Sequence, residues 1–254
     1  MTIFGLEPAL FLIAVAITAV ASIVKGAVGF AMPMIMISAL ASFLPADQAL
    51  ATLILPTLAT NAAQAFRQGW RSVLATLRDY RTLLITLCLT MALAAQLVPI
   101  MPQALLLMSL GLPIVAFAIT QLAGWHLRFD PKNRGRAEVT TGLVGGFFGG
   151  ISGVWGPPTI AFLLSLEAEK REIIRVQGVI YLVGAAMLLT AHLGSGIANA
   201  KTLPLSAALC LPALGGLYTG FAIQDRLDAQ RFRRWTLIVL AITGLNLVRR
   251  ALAL

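Results

Sequence analysis

The chain has 254 residues, 59% of them hydrophobic and only 11% charged, with a mean hydropathy of +0.88 and a formal net charge of +9. A soluble domain of this length is nearer half apolar and a quarter charged, so an ordinary soluble globular fold is excluded. Apolar stretches of spanning length recur from end to end, and no polar stretch is long enough to separate soluble domains. The chain reads as a single all-α polytopic membrane domain.

The first apolar run has no positive residue before it, which argues for a retained segment rather than a cleaved signal peptide. Within residues 8–44 the apolar character is interrupted by "KGAVGFAMP", residues 25–33, which carries a lysine, two glycines and a proline. Runs 46–66, 82–98 and 103–123 each suit one crossing. Segment 137–166 is broken at "GGISGVWGPP", residues 149–158, and is followed by further single crossings at 176–193, 203–221 and 235–252. Cys88 and Cys210 lie in apolar runs without CxxC spacing and read as small buried hydrophobes.

The positive charge is concentrated in the gaps 67–81, 124–136, 167–175 and 222–234, which hold fifteen of the nineteen Lys and Arg residues. Gaps 45–47, 99–102 and 194–202 hold only Lys201. Such a bias places the four rich gaps in the cytoplasm and makes the charge topological, with no call for nucleic acid. With those gaps inside, segment 137–166 must enter and return on the cytoplasmic side. Each of its arms, 137–150 and 154–166, is roughly 20 Å long at 1.5 Å per residue. By analogy segment 8–44 is a hairpin entering from outside, with both termini outside. At an offset of 124 residues Gly26 falls on Gly150, Gly29 on Gly153 and Pro33 on Pro157. The expected architecture is two inverted repeats, 8–123 and 137–252, joined by a cytoplasmic linker at 124–136. Each repeat is a re-entrant or broken-helix hairpin followed by three crossings, a layout typical of secondary transporters.

Broken backbone at membrane depth is tolerated where it lines a cavity or is buried in protein. A helix starting near Pro33, and another near Pro157, would point free N–H groups and a positive dipole end at each break, which suits an anion. Gly26, Gly29, Gly150 and Gly153 would allow close backbone approach. Lys25 adds a full positive charge, Ser152 a hydroxyl, and Trp155 a ring with an N–H donor. The alternatives are a snorkelling Lys25, a purely packing Trp155, and helix-packing roles for the glycine rows Gly142, Gly146, Gly150 and Gly145, Gly149, Gly153. Asn61, Gln177 and Tyr181 would flank the breaks from the first crossing of each half. His192, beside an outer gap, reads as interfacial. All ten carboxylates fall at ends or in gaps, so none is placed to carry a proton within the membrane. That pattern predicts electrogenic movement of an anion. No HExxH, intramembrane aspartate pair or Walker loop is present, and no cofactor or metal is called for.

The two breaks, together with "KREIIRVQG" at 170–178, resemble the TauE/SafE sulfite-exporter family over nearly the whole chain. The resemblance implies a bacterial inner-membrane carrier that exports sulfite or a small organic sulfonate. It carries the substrate-site reading to Gly26, Gly29, Pro33, Gly150, Gly153 and Pro157. Phe30 and Trp155 stand at bulky positions within the breaks, which favours an organic sulfonate over bare sulfite. The partners implied are a small anion and membrane lipid; a homodimer is compatible with this reading. The competing readings are an anion channel, or a membrane enzyme or accessory protein of sulfur metabolism.

Overall fold

The computed structural model describes residues 2–67, 69–124, 133–166, 170–223 and 229–254. Most of the expected linker, 124–136, and parts of the basic gaps 167–175 and 222–234 lie outside the described residues. Among the described residues the chain is helical and forms no strand. Seven helices are long and apolar enough to cross a membrane, as a multi-pass membrane protein requires.

The first segment divides into α1 (Pro8–Val28) and α2 (Met32–Leu40). Pro8 opens α1 at a position where its missing N–H costs nothing, and Gly29 ends it in the left-handed region at φ +88°, its N–H returning to Lys25 O at 2.7 Å. The helices α3 (Ala46–Phe66), α4 (Trp70–Asp79), α5 (Arg81–Ala95) and α6 (Gln103–Leu122) follow. The second half opens with α7 (Arg134–Ser152) and α8 (Gly156–Ser165), with Gly153 at φ +69° capping α7 as Gly29 caps α1. It continues with α9 (Lys170–Gly194), α10 (Leu203–Ala208), α11 (Cys210–Ile223) and α12 (Ala229–Leu252). Shifted by 124 residues, the bounds of α1, α2, α3 and α6 fall close to those of α7, α8, α9 and α12, and α5 falls on α10 and α11.

Packing follows the same correspondence. The helix α1 lies along α11 as α7 lies along α5, while α3 pairs with α9 and α6 with α12. The α1–α11 and α5–α7 contacts are built on small residues. A Cβ on Gly26 would sit 2.3 Å from Leu217 O and one on Gly220 2.3 Å from Ile23 O. Across α5–α7, Gly142, Gly146 and Gly150 meet Leu83 O, Leu87 O and Met91 O at 3.0, 2.5 and 2.6 Å by the same construction. These rows are helix-packing seams, in which the missing side chains let backbones approach closely. At the centre are α3 and α9, whose spanning windows are 67% and 61% buried against 33–39% for the other five. Pro56 inside α3 leaves Thr52 O without its helical donor, and Ser206 Oγ of α10 donates to that carbonyl at 3.0 Å.

Two features depart from the sequence reading. The hairpin arms are unequal: α1 and α7, with 21 and 19 residues, are about 30 Å long, whereas α2 and α8 have only 9 and 10 residues. The polar start of α7 joins the helix because Arg134 Nε reaches Glu138 Oε1 one turn on, at 3.0 Å. The basic gap 67–81 contains the helix α4, whose Val73 and Thr76 are buried while Trp70 and Leu74 face outward. Trp70 stacks on Phe66 at 5.5 Å. This amphipathic period was hidden among the arginines.

Candidate functional site

The two breaks, Gly29–Ala31 and Gly153–Trp155, meet at a small cavity of about 20 Å³, room for a single water-sized group. The first half contributes Lys25, Phe30, Ala31, Pro33, Met34 and Asn61. The second contributes Gly153, Val154, Trp155, Gly156 and Tyr181. Ala31 holds φ +80°, a conformation rare outside glycine, at the N-cap of α2. Pro33 takes the second position of α2, which leaves Met32 and Met34 as N–H donors in its first three positions. Gly156 is followed by Pro157 and Pro158, so α8 offers the Gly156 N–H alone there. The helix starts therefore present fewer donors than the sequence pattern suggested.

Lys25 is the dominant electrostatic feature. Its side chain is 1% exposed, and Nζ donates to Thr60 Oγ1 at 2.9 Å and to Asn61 Oδ1. No carboxylate pairs with it among the described residues. Both acceptors are held in that role. Thr60 Oγ1 donates its own proton to Pro56 O at 2.7 Å, and Asn61 Nδ2 donates to Tyr181 O at 2.9 Å. Asn61 thus ties the lysine of the first half to the α9 backbone of the second. Lys25 does not snorkel to an interface; it ends at the cavity.

Of the other sequence-predicted residues, Gly26, Gly29, Gly150, Ser152, Pro157 and Gln177 surround the cavity without lining it. Gly26 and Gly150 belong to the packing seams with α11 and α5. Gly29 turns its carbonyl to two glutamines, Gln64 Nε2 of α3 and Gln177 Nε2 of α9, each at 3.3 Å, so Gln177 holds the first break in place. Ser152 Oγ is engaged within its own break, donating to Phe148 O at 2.5 Å and accepting from Val154 N at 3.3 Å. Pro157 sets the start of α8. Phe30 meets Phe117 edge-on at 6.0 Å, and Trp155 meets Tyr181 edge-on at 6.2 Å. The Trp155 indole lies across Gly184, where a Cβ would come within 2.7 Å of Nε1, and that N–H completes no hydrogen bond.

Three contributors were not singled out from the sequence. Thr60 and Gln64 are ordinary polar residues of a transmembrane helix until Lys25 and Gly29 are brought against them. His192, expected at an interface, is fully buried, with Nε2 2.9 Å from Gly150 O and Nδ1 3.2 Å from Ser195 Oγ. It braces the second break, which no local pattern would disclose.

The site therefore combines one buried amine, a few backbone donors and aromatic walls at two facing helix breaks, chemistry suited to a small anion, and at about 20 Å³ the cavity must widen before such an ion enters. A family model described as sulfite exporter TauE/SafE matches residues 14–247. No curated protein and no solved structure gives a significant match. The match spans both breaks and every helix that lines the cavity, and the chain belongs to the TauE/SafE sulfite exporter family.

Proposed function

We propose that this multi-pass membrane protein is a secondary transporter that exports a sulfur oxyanion, sulfite or a small organic sulfonate, across the bacterial inner membrane by alternating access. The observation that carries this reading is Lys25: a buried ionisable amine without a carboxylate partner among the described residues, facing a cavity between two helix breaks. An intramembrane ion of this kind is costly unless it serves a ligand or pathway. The matched element bounds and paired seams support two repeats, 8–123 and 137–252, within one membrane domain. Three crossings after each hairpin would invert one repeat relative to the other. Phe30, Trp155 and Tyr181 supply apolar surface that favours a sulfonate bearing an organic group.

The test is flux of labelled sulfite, sulfate, thiosulfate and small sulfonates in proteoliposomes. Saturable transport of a sulfur oxyanion is expected. Lys25→Ala should weaken apparent affinity about tenfold or more, since a charge-assisted hydrogen bond contributes roughly 1.5–3 kcal/mol. Non-saturating conductance would establish a channel instead. Unchanged affinity in folded Lys25→Ala protein would remove the lysine from the site.

A further inference from the structure

On the anion-carrier reading, we infer that Lys25 is also the proton carrier: it takes up one proton as a monovalent anion enters and gives it up as the anion leaves, so the two cross together. The sequence, lacking an intramembrane carboxylate, pointed to uncoupled charge movement. The geometry around Nζ supplies the missing proton site.

Two acceptors, Thr60 Oγ1 and Asn61 Oδ1, are fixed toward Nζ by their own donations to Pro56 O and Tyr181 O. A neutral amine has two N–H bonds and one lone pair; an ammonium has three N–H bonds. Either form satisfies both acceptors. The neutral form leaves its lone pair for the cavity, and the charged form leaves its third N–H there. A proton is thus gained or lost at the cavity-facing position with no rearrangement of the network. An ammonium withdrawn from water without a counter-charge is costly, whereas an anion in the cavity supplies that counter-charge. The balance is R–NH₂ + H⁺ + A⁻ → R–NH₃⁺·A⁻ on the side of entry, with the proton drawn from water, and the reverse on the side of exit.

Among the described side chains, no carboxylate, cysteine or histidine lines the cavity. Tyr181 of α9 is the other titratable side chain in the cavity wall. No titratable residue lies on α2 or α8, and Asp47 sits at the far end of α3. On α11, packed against α1, Tyr218 is exposed. The arginines of α12 stand at its two ends, and His192 is held on Gly150 O. The loaded carrier and the empty one then carry equal charge. Direction is set by the product of the anion and proton gradients, so an internally produced anion leaves with an equivalent of acid.

Methanesulfonate is the suitable probe, because it is fully ionised near neutral pH and any proton moved belongs to the protein. Proteoliposomes enclosing a pH dye are loaded with labelled methanesulfonate. The expected result is flux that ignores a valinomycin-set potassium potential, follows an imposed pH gradient, and moves one proton per anion. Lys25→Arg, with its permanent charge, should keep the anion site but make flux voltage-driven and end the proton movement. If that variant does not fold, wild-type protein in weakly buffered detergent decides the matter: about one proton should be taken up per methanesulfonate bound. Voltage-driven wild-type flux without proton movement, or binding without proton uptake, overturns the coupling and leaves the carrier reading standing. Failure of both methanesulfonate and sulfite to show saturable flux overturns the carrier reading and the coupling with it.

Discussion

Converting Asn61 to aspartate would give Lys25 the counter-charge it lacks. The oxygen that accepts from Nζ is kept, so the pair would form at hydrogen-bond distance, while the new oxygen replaces Nδ2 and faces Tyr181 O. At about 3 Å and an effective dielectric of about 20, unit charges attract by about 5 kcal/mol. Burial of the new carboxylate costs several kcal/mol. Tyr181 O loses the donor it now has at 2.9 Å, about 1 kcal/mol more. These contributions nearly cancel, so Asn61→Asp should fold with a melting temperature close to that of the parent. The site, however, becomes neutral overall. An entering anion forfeits a charge-assisted bond of roughly 1.5–3 kcal/mol, or about ten- to a hundredfold in affinity. Calorimetric titration with methanesulfonate reads this directly, and proton uptake on binding should vanish because Lys25 is already charged. Unchanged affinity in folded Asn61→Asp protein would refute the idea that Lys25, free of a counter-charge, pairs with the substrate.

Gly184→Ala places a methyl 2.7 Å from Trp155 Nε1 and Cε2, so the indole must turn within the cavity wall; methanesulfonate affinity should change severalfold, and an unaltered isotherm would place Trp155 outside the site. Gly146→Ala sets a Cβ 2.5 Å from Leu87 O, backbone rather than a yielding side chain, and should lower stability by about 1–3 kcal/mol in thermal unfolding. Gly215→Ala, which meets nothing within 4 Å, is the control and should be neutral or slightly stabilising. With Cys88 and Cys210 replaced, cysteines introduced at the exposed positions Arg71 and Ala200 should react with impermeant thiol reagents from opposite sides of the membrane; labelling from one side refutes the inferred topology.

The helix breaks were legible because they depend on local chemistry. Glycine is the residue that readily takes the left-handed caps at positions 29 and 153, and proline is best tolerated in the first turn of a helix, where Pro33 and Pro157 stand. Lys25 stood out as the one charge inside a long apolar run. The arm lengths were not legible: the polar stretch at the start of α7 reads as loop until the Arg134–Glu138 pair is seen to close a helical turn. Thr60 was equally hidden. A threonine in a membrane helix ordinarily bonds the carbonyl four residues back, and Thr60 does so while also accepting from Lys25. The bracing of Gly29 by Gln64 and Gln177, and of Gly150 by His192, joins residues distant in sequence that no periodicity connects.

The backbone correspondence between the halves does not extend to the side chains at the cavity. At the 124-residue offset Lys25 falls on Gly149, Ala31 on Trp155, and Asn61 on Ala185. The first two exchanges are linked. In the first half the long side chain comes from the helix, and the break residue Ala31 is small enough to leave it room. In the second half the bulk comes from the break: a Cβ on Gly149 would lie 3.2 Å from the Trp155 Cβ, so a large residue at both positions would collide. One half therefore presents a cation and the other a ring. Two facing cations would repel across a cavity of about 20 Å³, and two facing rings would leave an anion's charge unmet. A ligand with a charged head and a short apolar tail satisfies both walls in one orientation. Bare sulfite uses only the first, which is why affinity should rise from sulfite to a small alkylsulfonate and the gain should disappear when Trp155 is reduced to alanine. Equal affinities for the two, or a gain that survives Trp155→Ala, would mean that the aromatic wall serves packing alone.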